Sequence, residues 1–207
     1  YNGQSFIDEI MYINDASAHT IYFMPILEGS ELISPTTRFA ALQATYEMLM
    51  KHKEYVINVR VGGNDLCNIF GVRRNVNETI YDIRSVSTIL NDIVSVFFQD
   101  FVISGPVWEY FSGENESWKK GLLQEMRLDS LNGFTGKTVI HPNQIPVVLE
   151  GMKISQQDLV DAVQILTFES DLLQVSKSAS GTRMNEMKTH INWAKKQIIL
   201  ANLYGVN

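Results

Sequence analysis

The chain has 207 residues, 45% of them apolar and 19% charged, and its net charge is -6 at neutral pH. That length suits one domain with a sizeable core, and an acidic balance with scattered Lys and Arg argues against a nucleic-acid partner. No apolar run reaches the roughly 18–20 residues of a membrane span, and the N-terminus lacks the residue order of a signal peptide. The single cysteine, Cys67, allows no internal disulfide and fits a reducing compartment, so the expected location is the cytoplasm. The chain opens at Tyr1 without a methionine and reads as the continuation of a longer polypeptide.

Helical spacing of Phe6, Ile7, Ile10, Met11 and Ile13 predicts a first helix. His19 to Leu27 is an apolar run rich in β-branched and aromatic residues, which predicts a buried strand ending in Glu28 and Gly29. Ser34 as N-cap and Pro35 in the first turn open a helix to about His52. Tyr55 to Val61 is the second strand, closed by Gly62 and Gly63, with a short helix from Leu66 to Phe70. Asn77 is expected to open a long helix whose apolar face includes Ile80, Val86, Ile89, Leu90, Ile93 and Phe97. Phe101 to Ser104 forms the third strand, and a helix from Ser117 to Asn132 ends at a left-handed Gly133. Lys137 to Ile140 is the fourth strand. Ser155 caps a helix to about Val175, Ser176 to Thr182 reads as a flexible connection, and the last helix runs from Arg183 to Leu203.

Alternation of strand and helix argues for parallel strands with right-handed crossovers. The strands are continuously apolar, as expected where both faces are covered. A doubly wound sheet and a barrel both satisfy this pattern, and four strands cannot close a barrel of eight. In either architecture ligands bind at the carboxyl ends of strands. Those ends carry Glu28, then Gly62, Gly63, Asn64 and Asp65, then Gly105 and Pro106, then His141 and Pro142. Two carboxylates on successive strand ends suit a hard divalent cation, although a strand-end Asp is also often a helix cap and such a Glu a solvated loop residue. His141 before Pro142 fits an anchor of its turn at least as well as an acid or base. The doublets Arg73-Arg74 and Lys195-Lys196 read as solvated helix ends. There is no GxxxxGK[ST] and no GxGxxG after a strand, which removes support from kinase and dehydrogenase readings.

The segment from Gly133 to Ile145, GFTGKTVIHPNQI, resembles the GF-x-GK-x-x-IHP-x-QI signature of the HpcH/HpaI aldolase and citrate lyase beta-subunit superfamily. Met24 to Glu28 is similar to that family's MP-x-x-E strand, and Gly63 to Leu66 to its G-x-x-DL segment. Arg183 to Glu186 resembles its tail motif, in which an acidic residue reaches a neighbouring subunit's site as acid or base. The resemblance covers residues 19 to 203 and implies an α/β TIM (β/α)8 barrel. Residues 1–153 would be its C-terminal half, strands five to eight, and 154–207 a C-terminal helical extension.

It also implies Glu28 and Asp65 as ligands of Mg2+, and Gly62, Gly63, Asn64, Gly105, Pro106 and His141 as the substrate-binding positions. Glu186 would be the catalytic acid or base, standing where Asp is usual in the family. The implied activity is a magnesium-dependent carbon–carbon lyase or aldolase. It would act on a β-hydroxy acyl-CoA thioester of the citryl or malyl kind, or on a small hydroxy-oxo acid, through a metal-stabilised enolate. The alternative is a non-catalytic barrel that binds a ligand or partner protein, motivated by the altered tail and the unusual segment from Trp108 to Trp118. Expected partners are a missing N-terminal barrel half, which carries the family's substrate-binding arginine, and copies of the chain in a homo-oligomer, trimer or hexamer.

Overall fold

The computed structural model describes residues 3–168 and 175–207. They form two compact units, Tyr1–Gln144 and Ile145–Asn207. In the first, α1 (Gly3–Ala16), α2 (Pro35–Met50), α3 (Gly63–Ile69), α4 (Arg84–Phe97) and α5 (Ser117–Leu131) accompany four strands. These are β1 (Ile26–Leu27), β2 (Val59–Val61), β3 (Ile103–Gly105) and β4 (Gly136–Lys137), all parallel, in the spatial order β1-β2-β3-β4. The second unit holds most of α6 (Gln144–Gly151), then α7 (Gln156–Leu166), a hairpin of β5 (Val175–Lys177) and β6 (Met184–Glu186), and α8 (Met187–Tyr204). No helix among the described residues is long and apolar enough to cross a membrane.

The core of the first unit lies between the sheet and its helices. Val59, Val61 and Ile103 from the strands meet Leu42 and Leu49 of α2 and Val86, Ile89, Leu90, Ile93 and Phe97 of α4, all buried. Full burial of such a side chain contributes about 1.5–3 kcal/mol, so the apolar face of α4 is a main source of cohesion. Arg38 of α2 is buried too. It donates to the carbonyls of Leu32 and Ile33 and pairs with Asp92 of α4.

Several expectations need correction. The strands are shorter than the apolar runs, and in this chain only one face of β1 is covered. Phe23 and Leu27 are each 7% exposed, whereas Tyr22, Met24 and Ile26 stay open on the alternate face. The face carrying Val59, Val61 and Ile103 packs on α2 and α4, whereas β3 is buried on both faces. The long helix begins at Arg84 rather than near Asn77, because a turn at Ile80–Asp82 intervenes, with the Thr79 amide donating to the Asp82 carboxylate at 2.7 Å. Ser34 stands at the N-cap of α2, but its hydroxyl meets that of Thr36 at 2.7 Å instead of a helical amide. The fourth strand is Gly136–Lys137 and shares only Lys137 with the expected run to Ile140.

In the second unit Ser155 does cap α7, accepting from the Asp158 amide at 3.0 Å. That helix stops at Leu166, and Val175 starts a strand; residues 169–174 of the expected helix lie outside the described residues. The expected flexible connection, Ser176 to Thr182, holds the end of β5 and the turn of the β5–β6 hairpin, and α8 starts at Met187 instead of Arg183. Arg183 ties the hairpin to α7, reaching Asp158 and Asp161 at 2.6 Å each, with its guanidinium 5.3 Å from the Trp193 ring. Burial alone would raise the Asp161 carboxyl, but hydrogen bonds with Arg183, Asn185 and the Ala179 amide hold it below the usual aspartate range.

A carboxyl lowered in the folded state stabilises above its unfolded pKa, and that contribution is lost as pH falls through the folded value. Asp161→Ala should therefore cost about 1–3 kcal/mol near neutral pH. In thermal melts its deficit against the unsubstituted protein should shrink below about pH 4. A deficit of equal size at pH 3 and pH 7 would contradict this role.

Candidate metal centre at the strand ends

Glu28 follows β1 directly, and Asp65 is the third residue of α3, just beyond the end of β2. Parallel pairing sets Leu27 against Val61, and the Gly62 amide donates to the Leu27 carbonyl at 3.1 Å. That ladder brings Gly62 beneath Glu28. A methyl group added at Gly62 would lie 2.4 Å from Glu28 Oε2 and 3.1 Å from Asp65 Oδ2. The two carboxylates thus converge over one bare Cα, and both residues are exposed to solvent.

Electrostatics reflect that closeness. Partial burial, then the negative Asp65 carboxylate and hydrogen bonding with it, raise the Glu28 carboxyl above its usual range, while Arg60 opposes the shift. Arg60 sits on β2 in register with Ile26 and Ser104, on the opposite sheet face from the buried Val59 and Val61. Like charges this near repel, and a cation between them relieves the repulsion. The donor set is oxygen only: among the described residues no group of three or more His, Cys, Asp or Glu gathers anywhere. A zinc site would want about four nitrogen or sulfur-rich ligands, whereas Mg2+ commonly takes one or two carboxylates and keeps several waters. The pair fits Mg2+.

The other expected positions lie as follows. The Gly62 amide is engaged in the strand ladder, donating to the Leu27 carbonyl. A Cβ at Gly63 would meet Ile80 and Pro106 at 2.5 and 2.6 Å, so the first turn of α3 is wedged against the loop after β3. A Cβ at Gly105 would meet the Asp129 carboxylate at 2.6 Å, so the space beside that glycine is filled by the protein itself. Asn64 Oδ1 accepts from Arg74 Nη1 at 3.0 Å. The His141 ring accepts the Asn143 amide through Nδ1 at 3.1 Å and stacks on Phe111 with centroids 4.1 Å apart. Gln144 fastens the same turn, donating to the carbonyls of Trp108 and Tyr110 at 2.8 and 2.9 Å. Glu186 belongs to the second unit, where it precedes α8 and its backbone meets His190 Nδ1. Cys67 is buried, and burial pushes its thiol up, which suits a packing role.

Behind the strand ends lies a group of charges that sequence reasoning missed. Arg74, Glu125 and Lys137 have fully buried side chains, and that of Asp129 is 4% exposed. Lys137 Nζ lies 2.8 Å from both Glu125 Oε1 and Asp129 Oδ2, and the Tyr81 hydroxyl donates to Asp129 at 2.7 Å. Burial, then the Asp129 charge, raises the Tyr81 hydroxyl, which keeps it a donor. Glu125 Oε2 also accepts the Ile80 amide at 2.8 Å. Two cations thus face two anions, and the doublet read as a solvated helix end is divided: the Arg73 side chain is 80% exposed, whereas Arg74 is interior.

Four parallel strands in sequential spatial order, with Glu28 and Asp65 at the ends of the first two, are the arrangement of an α/β barrel segment. The sequence profile described as C–C bond lyase of the TIM-barrel fold matches residues 1–206, and the chain belongs to that family. A stretch of 59 residues, 28% of this chain and 17% of the relative, is 41% identical to mitochondrial citramalyl-CoA lyase of Homo sapiens. The crystal structure of CitE from Mycobacterium tuberculosis in complex with magnesium, acetoacetate and coenzyme A matches with a TM-score of 0.55 at 19% identity. That match covers 93% of this chain and 65% of CitE. The chain spans less than two thirds of either relative, and the likeness to CitE concerns the fold. The four strands are part of a TIM barrel, and the resemblance to the citrate lyase beta-subunit superfamily is borne out.

Gly62→Ala places a methyl group against both carboxylates, so it should separate them without straining the backbone, whose φ of -81° suits any residue. We expect Mn2+ affinity, read by electron paramagnetic resonance, to drop roughly ten-fold or more. Unchanged affinity would mean that the two groups do not share a cation.

Proposed function

We propose that this chain carries the magnesium site of a carbon–carbon lyase acting on a β-hydroxy acyl thioester of coenzyme A, citryl- or malyl-like, or on a small hydroxy-oxo acid. The observation that carries the reading is the convergence of Glu28 and Asp65 over Gly62. Membership in the C–C bond lyase family supports it, as do the name of the human relative and the ligands of CitE.

Cleavage of such a substrate needs three events. A base takes the β-hydroxyl proton, the Cα–Cβ bond breaks, and its electron pair passes into the acyl carbonyl. The products are a carbonyl compound and an enolate, which a proton then quenches. The enolate charge is the main barrier, and Mg2+ bound here would supply Lewis-acid stabilisation for it. The chain's own part is to hold that ion and orient the substrate beside it. Glu28 and Asp65 are the ligands in this proposal. The backbone around Gly63, Asn64, Gly105 and Pro106, together with the turn at His141, shapes the substrate's seat. Glu186 is proposed as the acid or base, delivered from a neighbouring copy in a homo-oligomer. An N-terminal segment would complete the barrel and cover the open face at Tyr22, Met24 and Ile26.

Enolate formation is testable without knowing the acyl group. The full polypeptide should exchange the methyl protons of acetyl-CoA or pyruvate for deuterium only when Mg2+ is present. Asp65→Ala should lower that rate by about 10²-fold or more, the scale of losing a main electrostatic stabiliser. Exchange that survives in Asp65→Ala, or needs no metal, contradicts the proposal.

A further inference from the structure

We infer that Arg74 is a positioning residue for the metal centre, acting through Asn64 on the neighbouring Asp65; the inference rests on the magnesium reading above. Arg74 follows α3 and its side chain is fully buried. Its guanidinium makes contacts to three separate elements. Nη1 donates to Asn64 Oδ1 at 3.0 Å, in the first turn of α3. Nη2 donates to the Val107 carbonyl after β3 and lies 3.4 Å from Glu125 Oε1 on α5. Nε lies 3.1 Å from Glu125 Oε2, within ion-pair range but out of line for a hydrogen bond. The plane also rests against the Trp108 ring, 5.4 Å from its centroid, and the Tyr110 hydroxyl donates to the Arg74 carbonyl at 3.2 Å.

Through Glu125 the clamp continues to Lys137 at the end of β4. One planar fork therefore fixes the chain after β2 relative to the chain after β3 and, indirectly, β4. Asp65 is itself exposed, so its placement depends on the short helix that carries it. Asn64, one residue earlier, is the side chain of its first turn that the guanidinium holds, while Cys67 further along the same helix also meets Arg74. A Lys at position 74 keeps the positive charge but lacks the fork needed to serve Asn64, Val107 and Glu125 together.

The test is a double-substitution cycle on the full polypeptide, with Mn2+ affinity read by electron paramagnetic resonance and folding by thermal melting. Asn64→Ala should weaken Mn2+ binding about ten-fold or more, the usual size of losing a group that orients a ligand. Its melting temperature should fall by several degrees at most, the effect of one buried guanidinium N–H left without its partner, with the protein still folded. Arg74→Lys should weaken Mn2+ to a similar degree, and the double variant should be no weaker than the poorer single one, because both remove the same link. Multiplying effects in the double variant overturn the inference. If Arg74→Lys does not fold, Asn64→Ala decides alone: Mn2+ affinity within about two-fold of the unsubstituted protein overturns it. An unsubstituted protein that binds no Mn2+ brings down the magnesium reading and this inference together, whereas tight binding by it and by Asn64→Ala alike overturns the inference only.

Discussion

Parallel pairing of β1 with β2 places the Gly62 amide on the Leu27 carbonyl, and the proposed chemistry starts from that contact. It sets a residue without a side chain directly under Glu28 and starts α3 immediately afterwards, which brings Asp65 to the same spot. Two acidic groups so close repel, and partial burial, then the Asp65 charge, raises the Glu28 carboxyl. Their approach has to be imposed by the backbone and by packing around it. Gly63 against Ile80 and Pro106, and Asn64 against Arg74, supply that restraint.

The interior charges are the second level of the same construction. Isolated buried ions are costly, and a balanced, hydrogen-bonded set is tolerated because each charge has its partner. Here Arg74 and Lys137 meet Glu125 and Asp129, with Tyr81 and the Ile80 amide occupying further oxygens. Directional contacts of this kind define one arrangement of strand ends where apolar packing alone would permit several. Partnered charges behind the site and exposed carboxylates at it suit the proposed role of holding a hydrated ion while admitting a substrate.

Much of this was legible from local pattern. The apolar spacing of α4, the Pro35 start of α2 and the Gly133 stop of α5, with its φ of +99°, appear where periodicity and turn chemistry put them. The strand ends, and so the short roster of acidic residues there, followed from the βα alternation. Other features depended on long-range partners. Arg74 looks like any basic doublet until Glu125, 51 positions later, takes its charge. The β5–β6 hairpin is rich in Ser, Gly and Thr, and pairing such as that of Ser176 with Asn185, the bonds of Gln164 to both strands and the grip of Arg183 on Asp161 make it ordered structure. The turn at Ile80–Asp82 was hidden because Ile80 fits the apolar period of α4 and yet is buried from a separate turn.

The central claim is that Glu28 and Asp65 share one hard cation. It is tested most directly by a crystal structure of the full polypeptide grown with Mn2+ and measured at a wavelength where manganese scatters anomalously. The account predicts one anomalous peak bonded to an oxygen of each carboxylate, at about 2.1–2.2 Å, with its remaining positions filled by water. A peak that touches only one of the two, or manganese bound elsewhere with this pair bare, would contradict it.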